Sequence, residues 1–417
     1  MEEGLLIEWS AASFCVFMSQ RTEPPANIVL HLDAMTYGGD AIGRTGGKAI
    51  FVRGGIAGET VRAQIVEDRG RFARAEAAEI VAPSPHRVSP RCRHFGFGPA
   101  SCGGCHWQHV DYPAQLQFKT NVVREQLKRL GRIASAPVHD TIPSPDVWAY
   151  RSHAEFSVTP DGRLGFRAAR SNRVIPIDEC HIVQIPILEW LRAQGQVEPG
   201  TTCVVVRSDG PAASVKVWHA DRILSNLHAR EAGSPISNFQ VKGAVFQVSA
   251  HSFFQVNVSL IETLVDLVVS RAAPRGGETV LDAYCGVGLF ARFIAPVVEC
   301  VVGIESSLSA MVDARVNLAS FKNVDLREGS VEAILPEIGE HIDAAIVDPP
   351  RAGCGPAVIA ALIAKHVERL VYVSCDPSTL ARDARQLLDG GYRLVEVQPL
   401  DMFPHTYHIE CVAYFEV

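Results

Sequence analysis

The chain has 417 residues, 47% of them hydrophobic and 20% charged, a balance that excludes a disordered or low-complexity protein and suggests several folded domains. No apolar run reaches the ~18 residues needed to span a bilayer, so no membrane is expected as partner. The formal charge of −7 excludes wholesale coating of nucleic acid. The charge is uneven, however: residues 27–175 hold 20 Lys and Arg against 13 Asp and Glu, so an anionic partner would meet the N-terminal half.

The opening MEEGLLIEWSAASFCVFMSQR is acidic with a broken apolar stretch, where a secretory signal wants a basic start and a cleavage site. Residues 1–26 therefore read as a disordered leader with Met18 as an alternative start, and a cytoplasmic location is expected. Eleven cysteines in a reducing compartment point to metal binding, catalysis or burial rather than disulfides.

From residue 27 to 83, short β-like runs alternate with glycine turns: NIVLHL, YGGDAIGRTGGK, AIFVRGGIAGE and TVRAQIVE. Short strands at this density predict a small OB-like barrel, a fold that commonly binds oligonucleotides, and Pro83, Pro85 and Pro90 end it. PRCRHFGFGPASCGGCHWQH then places Cys92, Cys102 and Cys105 within fourteen residues. A helix over 113–131 follows, with Leu116, Val123, Leu127 and Leu130 near helical spacing and late basic residues that suit the helix dipole. The rest of a central α+β domain, 84–240, is β-rich, contains Cys180, and carries Arg151, Arg167, Arg170 and Arg173 as candidate phosphate contacts.

From residue 241 to the end, apolar strands alternate with amphipathic helices, which predicts a doubly wound α/β domain. VLDAYCGVGLFA sets an apolar strand before Gly286-Val287-Gly288, Glu305 ends the next strand, and Asp348-Pro349-Pro350 ends a third, so polar residues collect at the carboxyl edge where ligands bind. Glu305 has the placement of a carboxylate that accepts ribose hydroxyls. LVYVSCDPSTLARD delivers Cys375 at a strand end before a helix whose N-terminus favours a thiolate. LDMFPHTYHIECVAYFEV supplies Glu410 after His405 and His408.

These motifs, SFFQVN, LDAYCGVGLF, VGIES, DPPRAG, YVSCDPSTLARD and LDMFPHTYHIE in that order, resemble those of the RNA 5-methyluridine methyltransferases over residues 27–417. The resemblance implies a Rossmann-like class I methyltransferase domain, an N-terminal TRAM domain, and transfer of methyl from S-adenosyl-L-methionine to uracil C5 in RNA. It makes Cys375 the nucleophile and Glu410 the general base. Gln255, Tyr284, Glu305 and Asp348 would contact S-adenosyl-L-methionine, and Cys92, Cys102, Cys105 and Cys180 match the ligands of a [4Fe-4S] cluster, with zinc as the rival metal. Nine residues separate Cys92 from Cys102, more than in many members, and the insert GFGPAS has the composition of a loop extension.

The TRAM-like barrel with the cluster cysteines leans toward the 23S ribosomal-RNA branch, with tRNA as runner-up, and no obligate protein partner is evident. A 5-methylcytosine methyltransferase is disfavoured because Pro350 is followed by Arg351 rather than cysteine. An NAD-dependent oxidoreductase would leave Cys375 and Glu410 unexplained, as would a non-catalytic iron-sulfur RNA-binding protein.

Overall fold

The computed structural model describes residues 27–210, 215–219 and 236–417; the expected leader, 1–26, lies outside the described residues. Five strands, β1 (Asn27–Met35), β2 (Ala41–Thr45), β3 (Lys48–Arg53), β4 (Thr60–Asp68) and β5 (Phe72–Ala82), close a barrel in the order β1-β2-β3-β5-β4. Alternate residues turn inward: Leu30, Leu32, Ile50, Val52, Val61, Ala63, Ala73 and Ala75 form its core. The parallel β3–β5 pair among antiparallel neighbours gives the five-stranded order expected of an OB-like barrel.

The cysteine segment runs from the barrel to helix α1 (Tyr112–Arg129), whose start is fixed by Asp111 accepting from the Ala114 amide at 2.9 Å. The helix works as a strut. Its Ala114 joins the barrel core, while Val122, Val123 and Leu127 join the core of the C-terminal sheet. Leu130, expected on the apolar face, is 50% exposed, whereas Gln115 and Lys119 are fully buried. These two polar residues are buried because their partners, His405 and Asp401, come from the far end of the chain.

A five-stranded antiparallel sheet follows, ordered β10-β9-β6-β7-β8 from β6 (His153–Val158), β7 (Leu164–Arg167), β8 (Val174–Pro176), β9 (Cys203–Ser208) and β10 (Val215–His219). Helix α2 (Ile185–Ala193) covers it, seating Ile187 and Leu191 against Phe156, Val204 and Val206. Next comes a hairpin, β11 (Ile236–Val241) with β12 (Ala244–Ser249). Its Phe239, Val241, Phe246 and Val248 pack into the C-terminal domain's core beside helix α3 (Ile261–Ala272). The expected division at 240/241 therefore falls inside a hairpin that belongs, by its packing, to the C-terminal domain.

The last domain is a seven-stranded sheet ordered β15-β14-β13-β16-β17-β19-β18. β13 (Thr279–Ala283), β14 (Cys300–Glu305), β15 (Val324–Glu328), β16 (Ala344–Val347) and β17 (Arg369–Ser374) run parallel; β18 (Arg393–Leu400) and β19 (Glu410–Glu416) complete it, with β19 antiparallel to both neighbours. Their continuous apolar runs reflect burial on both faces. Leu281, Val302, Ala345 and Leu370 face one layer, with α6 (Val331–Ile334), α7 (Gly355–Ala364) and α8 (Pro377–Asp389); Val280, Val301, Ala344 and Val371 face the other, with α3, α4 (Ala291–Ile294) and α5 (Leu308–Asn317). Among the described residues no helix is long and apolar enough to cross a membrane.

Candidate active site

The sheet register brings the two expected catalytic residues together. In the antiparallel β17–β19 pair Val373 faces Val412 and Ser374 faces Cys411, so the next step of the ladder sets Cys375 opposite Glu410 at the edge where the parallel strands end. β16 lies on the other side of β17 and ends at Val347, which delivers Asp348 to the same edge. The Asp348–Gly355 turn is clamped onto α8: the Cys354 amide donates to Asp383 Oδ2 at 2.9 Å, and the Tyr372 hydroxyl donates to the same oxygen at 2.8 Å. Gly353, at φ +80°, admits no side chain there, since a Cβ would lie 2.5 Å from Asp383 Oδ2.

Electrostatics at this edge differ from expectation at one point. Asp376 caps α8 directly after Cys375, yet the Cys375 thiol is pushed up to about 12, first by burial and then by Glu410, with Arg351 opposing. Desolvation and the flanking carboxylates outweigh the helix N-terminus that sequence reasoning credited with favouring the thiolate. Glu410 is buried and held well above the usual carboxylate range by that burial and by Asp348, again opposed by Arg351. Burial likewise pushes Asp348 up to about 7. Arg351 is thus the cation serving both Cys375 and Glu410, a residue sequence reasoning used only to dismiss a rival.

The glycine loop and its flanks form the other half of the edge. Tyr284 takes a left-handed backbone, φ +64°, as the chain leaves β13, and the Cys285 amide donates to the Ile304 carbonyl of β14. Glu305 accepts from the Gly286 amide at 2.9 Å and from the Ser307 amide at 2.6 Å, which ties the glycine loop to the end of β14 and leaves lone pairs on both carboxylate oxygens for hydroxyl donors. Asp282 was missed as a site residue. It is fully buried, pushed up to about 7 by burial, Asp348 and Glu305, and its Oδ1 has no hydrogen-bond partner among the described residues. Its signal was the strand-end carboxylate of LDAYCG. Gln255 is buried on a segment pinned at both ends: Ser252 Oγ donates to Asp313 at 2.5 Å, and Asn257 Nδ2 donates to Ser144 Oγ at 2.9 Å.

The segment leading into Glu410 is anchored from distant parts of the chain. His405, at φ +65°, offers its carbonyl to the amides of both His106 and Trp107 at 2.9 Å, and Trp148 stacks on its ring at 3.7 Å. Gln115 Oε1 accepts the His405 amide, and Lys119 meets Asp401 at 2.5 Å in a pair with no exposed side-chain surface. Tyr37, on the barrel's β1–β2 turn, lies edge-on to Tyr407 at 5.7 Å with the Asp376 carboxylate and Cys375 beside its hydroxyl, which raises that hydroxyl further than burial alone. Nothing in the sequence around Tyr37 announced this placement.

Cys92, Cys102, Cys105 and Cys180 line one cavity of about 350 Å³ between the cysteine segment and the central sheet. Burial raises all four thiols, and Cys102 and Cys105 are raised further by their neighbours. The Gly103 amide donates to the Arg167 carbonyl, and a Cβ at Gly103 would lie 2.7 Å from the Ala169 amide nitrogen, so glycine permits this close approach to the sheet. Among the described residues no group of three or more His, Cys, Asp or Glu is drawn together as a single bound ion requires. Of the four candidate phosphate contacts, Arg151 lines this cysteine cavity, Arg167 lines both it and a second cavity against the barrel, and Arg170 lines the second.

Comparison with known proteins matches residues 29–78 to the TRAM domain and residues 339–417 to the family described as tRNA (Uracil-5-)-methyltransferase. An uncharacterized RNA methyltransferase from Streptomyces coelicolor is 36% identical over 92% of this chain and 91% of its own length. Another, from Caldanaerobacter subterraneus, is 34% identical over 92% of this chain and 97% of its own. Among solved structures, the Pyrococcus abyssi tRNA (uracil-54, C5)-methyltransferase in complex with S-adenosyl-L-homocysteine superimposes with a TM-score of 0.69 at 26% identity, covering 93% of this chain and all of that one.

Proposed function

Because this chain belongs to the RNA methyltransferase family that joins a TRAM domain to a (uracil-5-)-methyltransferase domain, we propose that it moves a methyl group from S-adenosyl-L-methionine to C5 of an RNA uridine through a covalent bond between Cys375 and C6 of the base. The observation that carries the reading is the β17–β19 register, whose last pair is Ser374 with Cys411, so that Cys375, just past β17, adjoins Glu410, the first residue of β19, beside Asp348 and Arg351. Uracil C5 is a weak nucleophile. Addition of the Cys375 thiolate to C6 moves the C5–C6 π electrons toward C5 and O4, and C5 then takes the methyl group as the sulfonium loses it. C5 now carries both methyl and hydrogen. Glu410 removes that proton, the electrons re-form the C5–C6 double bond, and the C6–sulfur bond breaks to release the thiolate.

Each residue of the edge has a part in this sequence. Burial beside Asp348 makes Glu410 a stronger base than an exposed carboxylate. Arg351 offsets negative charge as the thiolate forms. Glu305, the glycine loop, Tyr284, Gln255, Asp348 and the unpartnered Asp282 Oδ1 are the groups we assign to S-adenosyl-L-methionine, with Glu305 accepting the ribose hydroxyls. Uracil within a folded RNA cannot reach this recess, so the target base is flipped out or lies in a loop.

We assign the four-cysteine cavity to a [4Fe-4S] cluster held by Cys92, Cys102, Cys105 and Cys180, supported by four thiols around one space of about 350 Å³. Bound there, the cluster would supply cross-links among segments too small to hold each other by their own core. We further propose 23S ribosomal RNA as the carrier of the target uridine, supported by the combination of TRAM domain and cysteine set. The likeness to the Pyrococcus tRNA (uracil-54, C5)-methyltransferase favours tRNA as a second reading. Mapping 5-methyluridine in the RNA of a deletion strain separates the two. For the chemistry, Glu410→Gln should methylate yet remain joined to labelled RNA on a denaturing gel, and Cys375→Ala should form neither product nor adduct. Freely released product from Glu410→Gln would remove Glu410 from the mechanism.

A further inference from the structure

The second cavity, of about 480 Å³, opens between the barrel, the cysteine segment and the central sheet, and the methyl-transfer chemistry makes no use of it. Its volume lies within the ~300–1,000 Å³ typical of small-ligand sites. The barrel contributes Arg53, Arg74 and Asp40; the end of β7 contributes Arg167 and the turn after it Arg170. Four guanidinium groups face one carboxylate. Asp40 is nearly buried and spans two of them, accepting from Arg170 at 2.9 Å and from Arg74 at 3.4 Å, which fixes both guanidiniums; Glu67, 3.5 Å from Arg74, and Glu76, 3.9 Å from Arg53, stand at the margin, so the lining itself carries four cations to one carboxylate. Arg170 holds a left-handed backbone, φ +57°, the kind of strained position that recurs at ligand sites.

Aromatic rings line the same space. Arg74 lies over Phe51 at 5.9 Å and Arg53 over Phe97 at 5.8 Å, while Tyr37 and Tyr407 form the wall shared with the candidate active site. His106 packs on Tyr407 at 4.5 Å and completes that wall. Rings carrying guanidiniums around a cationic recess are what an unstacked nucleotide needs: a face for the base and fixed donors for its phosphate. The position is as telling as the chemistry. Tyr37 lines the cavity and packs on Tyr407 at 5.7 Å, and its hydroxyl feels the charges of Asp376 and Cys375, so a strand with one base at Cys375 has this cavity within reach of its neighbour.

We infer that this cavity is a second nucleotide subsite, binding the base and phosphate of a residue adjacent in the strand to the uridine at Cys375, and that the TRAM domain thereby takes part in selecting the target. The inference rests on the methyl-transfer reading for the identity of that strand. A fluorescein-labelled decauridylate tests binding without needing the natural RNA. Each phosphate contact removed lowers the slope of log affinity against log salt by ~0.7 for single strands, so Arg53→Gln with Arg170→Gln should lower it by ~1.4 and weaken binding at low salt at least tenfold. S-adenosyl-L-homocysteine affinity, measured by calorimetry, should stay at wild type and reports that the variant is folded. Arg53→Lys with Arg170→Lys should keep the slope.

With the RNA identified by mapping, the Gln pair should raise KM while kcat changes less than twofold. An unchanged slope and KM in a variant that binds S-adenosyl-L-homocysteine normally would overturn the subsite, even where the wild-type protein makes 5-methyluridine. Loss of slope in the Gln pair, with no 5-methyluridine made by the wild type, would instead overturn the methyl-transfer reading and keep the nucleotide site.

Discussion

The state of the Cys375 thiol exposes the electrostatics of the site most directly. With its pKa pushed up to about 12, only ~10⁻⁴ of it is thiolate near pH 8, against ~10⁻¹ for an ordinary thiol near 9. Iodoacetamide reacts with the thiolate, so Cys375 in ligand-free protein should be alkylated ~10³-fold more slowly than an exposed cysteine, with a rate still rising near pH 10. A unit positive charge ~5 Å away at an effective dielectric of ~20 contributes ~3 kcal/mol, or roughly two pKa units in favour of the thiolate. Sinefungin, which carries an amine where S-adenosyl-L-methionine carries its sulfonium, should therefore accelerate alkylation ~10²-fold. S-adenosyl-L-homocysteine has the same shape without the charge and should not. Timed alkylation followed by mass spectrometry of the Cys375 peptide reads both effects. A rate that levels off below about pH 9 without ligand, or equal acceleration by the two ligands, would refute the reasoning.

Two further outcomes are expected. Lys119→Met leaves Asp401 buried without its cation and should cost ~3–5 kcal/mol in urea denaturation, whereas Lys119→Met with Asp401→Leu should recover most of that loss; equal destabilisation by the single and double changes would show that the pair matters only by its volume. Anaerobically reconstituted protein should bind close to four irons per chain and absorb broadly near 400 nm, by analogy with thiolate-held clusters, and Cys180→Ser should lose both; full iron content in Cys180→Ser would remove it from the ligand set, and one zinc per chain would replace the cluster by a single ion.

The proposed catalytic pair, Cys375 and Glu410, was legible because each residue sits in a short, chemically distinctive motif, and the strand alternation around them announces a parallel sheet. Their adjacency was not legible, since it depends on β19 inserting antiparallel beside β17, a pairing no local pattern declares. FARAEAAEIVA went unrecognised as a strand for a related reason. Its alanines and glutamates favour a helix, yet as β5 it closes the barrel against β3 and β4, and the tertiary pairing overrides the propensity. Helix α1 reversed the usual pattern: Gln115 and Lys119 are buried because their partners, His405 and Asp401, arrive 290 and 282 residues later. The thiol's pKa was misjudged because a helix N-terminus can be read locally, whereas the burial and the carboxylates of Glu410 and Asp348 that oppose it cannot.

That pattern of distant anchors bears on how the enzyme couples recognition to chemistry. The few residues before Glu410 have little regular structure, and their path is set by other segments: the cysteine segment through the His106 and Trp107 amides, helix α1 through Gln115 and Lys119, and the barrel through Tyr37 against Tyr407. A loop fixed by hydrogen bonds, stacking and a buried ion pair from three directions has few alternative arrangements, so Glu410 is placed before any substrate arrives. The same contacts mean that a shift of the barrel or of the cysteine segment reaches Glu410 through only one or two residues. On the proposed mechanism, an RNA that seats without strain on the barrel and the cysteine segment leaves Glu410 in place, and one that strains them moves it. Discrimination between uridines is therefore, on that mechanism, exercised at the Glu410 proton-abstraction step, through the barrel and the cysteine segment that hold this loop.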